Sequence, residues 1–145
     1  MNRLDAQTKI ITELKRIDGR TSPWSASYTF YHDVHETVIP HDEYIDNINS
    51  FPCIMFVLLE SKIVHVGGGE RLNFTSFRIR GITWDSEVEF AGERLADDIE
   101  HVLNHVRHNH PEFDDIRLNT IATDEGLNEP LGAVVIEGTL VFRNE

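Results

Sequence analysis

The chain has 145 residues, 40% of them hydrophobic, enough for one domain that buries roughly 70% of its unfolded surface. Thirteen basic residues stand against 25 acidic ones, a formal charge of −12, and a surface of that sign repels phosphate and argues against ordinary nucleic-acid binding. Cys53 is the only cysteine, which excludes an internal disulfide and a multi-cysteine zinc site.

In chain order, Leu4, Ile10, Ile11, Leu14 and Ile17 recur at helical spacing and predict an amphipathic helix over Asp5 to Ile17, with Gly19 as its C-cap. Residues 20–50 are irregular in pattern. Within them Ser25 to Tyr31 alternates as a strand does, and Pro40, Asp42, Asp46 and Asn49 mark turns. Cys53 to Leu59 is an apolar run that reads as a central strand buried on both faces, with Cys53 a buried free thiol. The run is far shorter than the ~20 residues a membrane helix needs. The N-terminus lacks the apolar stretch of a signal peptide, so a soluble protein made in the cytosol is expected. Lys62 to Val66 continues as a strand or is that strand's partner, and Gly67-Gly68-Gly69 supplies a flexible turn whose residues can take positive φ. From Arg71 to Trp84 the alternation puts Phe77 and Ile79 on one face and Arg78 and Arg80 on the other.

After Trp84 the period changes. Asp85 or Ser86 is positioned to cap a helix whose apolar residues are Val88, Ala91, Leu95, Ile99, Val102 and Val106. Pro111 ends it. Ile116 to Ala122 reads as a strand, Asp124 to Pro130 as a polar loop and Val134 to Phe142 as a closing strand. The order is α-β-β-α-β-β, an α+β fold with two helices on one face of a mainly antiparallel sheet. A single domain spans residues 1–145, with an irregular segment at about 20–50.

Candidate chemistry is sparse. His101, His105 and His108 stand at i, i+4 and i+7, a spacing that can hold a transition metal. A solvated polar face near a helix C-terminus produces the same pattern. The apolar stripe takes the other side of this helix, so these histidines are expected to face solvent and no metal or cofactor is expected. His32, Asp33, His35, His41, Asp42 and Glu43 form a second His/acid cluster, read as a solvated loop in preference to an acid–base site. Gly67-Gly68-Gly69-Glu70 lacks the Lys-Ser/Thr ending of a phosphate-binding loop. Cys53 lies mid-strand in an apolar run, where a nucleophile lacks access and a lowered pKa.

Four stretches of the second half carry a resemblance. They are Phe77-Arg78-Ile79-Arg80-Gly81, then Glu93-Arg94-Leu95-Ala96-Asp97-Asp98-Ile99-Glu100, then Ile116 to Gly126 ending Thr123-Asp124-Glu125-Gly126, and the strand Gly132 to Phe142. With Phe51-Pro52-Cys53-Ile54 at the start of the apolar strand, residues 50–143 resemble the tail terminator proteins of tailed bacteriophages. The resemblance implies a non-enzymatic virion protein, made in the host cytoplasm and located at the tail or neck. It would form a hexameric ring on the tail tube, stop polymerisation of the tube and join the head-completion proteins, with duplex DNA passing through unbound. The histidine-rich helix end and the polar 32–49 segment depart from the family. A neighbouring neck or head-completion protein, and more remotely a small His-dependent metalloenzyme, stay as alternatives.

The ring geometry is self-consistent. A 145-residue domain has a radius of gyration of ~15 Å and an equivalent-sphere radius of ~19 Å, and six touching spheres leave a gap roughly 38 Å across. The loops placed to contact a neighbouring subunit or the tube are the one at Gly67, Gly68 and Gly69 and the one containing Asp124, Glu125, Leu127 and Pro130.

Overall fold

A computed structural model gives the fold; it describes residues 1–44, 47–84, 90–128 and 131–144, with only the backbone described for residues 125–128 and 131. The order is α1 (Arg3–Leu14), β1 (Val38–Ile39), β2 (Cys53–Gly67), β3 (Glu70–Trp84), α2 (Ala91–Asn109), β4 (Phe113–Asn128) and β5 (Leu131–Asn144). The five strands form one sheet in the order β1-β2-β3-β5-β4, antiparallel except for the β1–β2 pair. The α+β expectation and its element order therefore hold. No helix among the described residues is long and apolar enough to cross a membrane.

α1 begins earlier than its apolar spacing suggests because Asn2 and Asp5 cap it reciprocally. The Asp5 amide donates to the Asn2 side chain and the Asn2 amide to the Asp5 carboxylate. The helix stops at Leu14, with Lys15 as C-cap. Gly19 has a φ of +77° but serves the isolated bridge of Asp18 with Asp33 rather than the helix end. The buried face is Ala6, Ile10, Glu13 and Leu14; Leu4 is off it and exposed.

α2 buries Leu95, Ile99, Val102 and Val106 as the spacing requires, together with Leu103 and Asp98. Its N-cap is Phe90, in the left-handed region at φ 57° with no side-chain cap, so neither Asp85 nor Ser86 fills that position. Those two residues and Val88 lie outside the described residues. His110 is the C-cap, directly before Pro111. Both helices pack on one face of the sheet, over Ile54, Phe56, Phe77, Ile79, Ile136 and Phe142. Phe113 and Ile116 of β4 complete this core.

The opposite face carries a smaller cluster, Cys53, Met55 and Ile82, covered by Ile39, Ile48 and Phe51. β2 is buried on both faces only over Cys53–Phe56. Beyond that it is an outer strand rather than a central one, since β1 pairs only with Ile54 and Met55. Ser25 to Tyr31 is not a strand. It belongs to a coil pinned by the isolated bridge of Thr21 with Thr29, and among the described residues the strand that precedes Cys53 is the short β1. The predicted loop at 124–130 is overturned as far as Asn128, and residues 129 and 130 lie outside the described residues. β4 runs to Asn128, with Asp124 opposite Ala133, Glu125 opposite Gly132 and, past an irregularity in the register, Asn128 opposite Leu131; pairing with β5 makes this stretch strand.

Candidate functional site

The sequence singles out two kinds of site, the two loops and the histidines, and the fold treats them differently. β2 and β3 form a long hairpin closed by Gly67, Gly68 and Gly69 at φ values of +93°, +62° and +82°. The last two glycines are the two central residues of the turn, both at positive φ as a type I′ turn requires. Towards this tip β2 is increasingly open to solvent, and its Leu59, Ile63, Val64 and Val66 are exposed. Val64 stands opposite Leu72 and Lys62 opposite Phe74. From Phe56 to Gly67 the outer edge of β2 pairs with no other strand among the described residues. Arg3 caps part of it, donating to the Leu59 carbonyl at 2.8 Å and to the Ser61 hydroxyl.

The second predicted loop is the far end of the β4–β5 hairpin. Asp124 and Glu125 pair with Ala133 and Gly132, and Leu127 lies within β4. Pro130 lies outside the described residues. The two hairpin ends sit at opposite ends of the sheet, because β3 pairs with β5 from Arg71–Asn144 to Trp84–Leu131. At ~3.3 Å per residue they stand roughly 40 Å apart. β4 is the other outer strand and pairs only with β5.

Of the three histidines expected to face solvent, His108 does, but His101 and His105 are partly covered. Residues 20–32 fold back over α2 and place aromatic rings on them. His105 stacks on Trp24 with centroids 3.8 Å apart, and His101 stacks on Tyr28 at 4.1 Å. The His101 Nε2 lies 2.7 Å from the Ser22 hydroxyl. Burial lowers the pKa of both imidazoles, opposed by Asp98 for His101 and by Glu13 for His105. His108 stays exposed. The triad His101, His105 and His108 is thus not assembled. The group that does converge is Glu13, His105 and His110. The periodicity of α2 could not show it, because Glu13 comes from α1 and His110 from beyond the end of α2. A sequence signal did exist: Glu13 falls three residues after Ile10, on the apolar side of α1.

The second His/acid cluster is dispersed. The His32 Nδ1 lies 3.5 Å from the Asp98 carboxylate, Asp33 accepts from the His35 amide, and Asp42 pairs with Arg78 and Arg80 on the opposite face of the sheet. Cys53 is a buried free thiol, and burial pushes its pKa up despite the neighbouring Arg80. The thiolate a nucleophile requires is therefore disfavoured.

The chain matches no family model, and no curated protein matches it.

Proposed function

We propose that the protein is a structural assembly subunit, a ring-forming tail terminator that caps a phage tail tube and offers the head-joining surface. The observation that supports assembly is the pair of outer strands. β2 beyond Met55 and β4 lie on opposite sides of one sheet, and each has an edge without a strand partner among the described residues. Unpaired edges bond readily to a further strand. Two different edges on one subunit allow head-to-tail contact, which closes into a ring when the rotation per subunit permits. The exposed Leu59, Ile63, Val64 and Val66 add apolar area beside the β2 edge. The hairpin ends, at opposite ends of the sheet, supply separate surfaces for the tube and for the neck protein. The −12 charge per subunit suits a channel that DNA crosses without being held. The place in the virion rests on the resemblance of residues 50–143; the outer strands support only the assembling subunit.

The test is mass photometry and negative-stain imaging of the purified chain, alone and mixed with headless tails. A hexameric ring, free or on tail tips, is expected, and Val64→Lys is expected to reduce it while far-UV circular dichroism stays unchanged. A chain that remains monomeric and leaves tails uncapped would overturn the proposal.

A further inference from the structure

A charged residue inside the apolar face of a helix requires a partner, and Glu13 only half has one. Its side chain is 9% exposed. Its Oε2 lies 3.1 Å from the Arg16 Nε, yet the contact is not aligned as a hydrogen bond and the oxygen has no other partner. Its Oε1 faces the Nε2 of His110 at 3.6 Å. A ring nitrogen of His105 completes the group, and the three donor atoms lie within 4.8 Å of one another.

We propose that Glu13, His105 and His110 bind a divalent transition-metal ion of the zinc type. Two nitrogens and one carboxylate oxygen are a donor set that zinc accepts, and three protein ligands leave a position for water. Metal–donor bonds of ~2.0–2.1 Å place the donors of a tetrahedron roughly 3.3–3.5 Å apart. The Glu13–His110 pair, at 3.6 Å, already stands near that spacing, and the third donor, within 4.8 Å of the others, needs a shift of at most about 1.5 Å.

The surroundings fit a held ion. The Nδ1 of His110 lies 3.7 Å from the Glu112 Oε1, so one imidazole faces a carboxylate on each side. A metal-bound histidine is oriented in this way, one nitrogen on the ion and the other on a carboxylate. Lys9 bonds the same Glu112 oxygen at 2.8 Å and fixes it. The stack on Trp24 sets the plane of His105, and the Asn109 amide lies 3.1 Å from its Nδ1. Arg16 and Lys9 pair with Glu13 and Glu112 respectively.

The experiment titrates zinc chloride into the chelator-stripped full chain by isothermal calorimetry, with the thermal midpoint followed in parallel. One equivalent of zinc that raises the midpoint is expected. Glu13→Gln and His110→Gln should each weaken binding by about tenfold or more, while His108→Gln leaves it unchanged. Should either variant fail to fold, cobalt(II) added to the unaltered chain gives an independent reading. Bands of nitrogen-coordinated cobalt, with quenching of Trp24 where it stacks on His105, are expected. Absence of zinc binding and of cobalt bands in the unaltered chain, or an equal loss in His108→Gln, would overturn the site.

Discussion

Asp98 and Tyr28 meet across 70 positions of sequence, the phenol donating to the fully buried carboxylate at 2.8 Å. The backbone amides of Tyr31 and His32 donate to the same group at 3.0–3.1 Å. One side chain of α2 thereby holds the irregular segment in place and sets Trp24 and Tyr28 over the histidines. Asp98→Asn turns one acceptor into a donor against these N–H groups and should cost about 3 kcal/mol or more. Tyr28→Phe should cost about 1–3 kcal/mol. Urea denaturation followed by tryptophan fluorescence measures both; a loss below ~0.5 kcal/mol in Asp98→Asn would show that the segment is held by other contacts.

The same pair predicts an alkaline limb. Desolvation first, then the bond to Asp98, raises the Tyr28 pKa far above its ordinary value. The folded state therefore keeps a proton that the unfolded chain releases near pH ~10. Stability should be constant below that pH and fall above it. In Tyr28→Phe the decline should be shallower, as read from denaturation midpoints between pH 9 and about 11.

His101 and His105 predict the opposite limb. Their folded pKa values are lowered, chiefly by desolvation, so the folded state binds fewer protons than the unfolded one. Their contribution is present above the unfolded value of ~6.5 and is lost as pH falls through the folded value. Thermal midpoints measured with a chelator from pH 7.5 down to about 5 should decline, and His101→Gln should flatten the curve. A midpoint that rises on acidification would mean that the acidic neighbours outweigh burial.

Gly138 of β5 predicts a steric effect. A Cβ there would lie 2.2 Å from the Arg117 carbonyl oxygen and 2.6 Å from the Phe77 Cζ. A neighbouring backbone cannot swing away as a flexible side chain can. Gly138→Ala should cost at least about 2 kcal/mol. At Gly68 a Cβ meets nothing within 4 Å, and asparagine tolerates its φ of +62°. Gly68→Asn should therefore change the urea midpoint little.

Legibility in the sequence followed how local each cause was. The face of α2 was readable because Leu95, Ile99, Val102 and Val106 all point one way, and all four are buried. The hairpin was readable because three glycines separate two strand-like runs. The segment around Trp24 and Tyr28 was not, since its order comes from Asp98, a residue of opposite character far along the chain. Asp124 to Asn128 looks like a loop by composition and becomes strand only through pairing with β5. The single domain, the interface loops, the virion partners and the absence of catalysis stay expectations, resting on composition and on the resemblance. The converging group was hidden for a further reason. Helical periodicity relates residues on one helix, and it is silent about Glu13 of α1 meeting the end of α2.

The outer edge of β2 also imposes a pattern on amide exchange. Along a strand paired on one side only, alternate N–H groups bond to the neighbour and the rest point outward. From Phe56 to Gly67 the amides should fall into a slow set facing β3 and a fast set facing water, with the phase changing at the irregularities between Leu58 and Ser61 and between His65 and Gly67. Any strand added at this edge would slow the fast set and leave the other almost untouched, so deuterium uptake read residue by residue would identify the occupied side of the sheet.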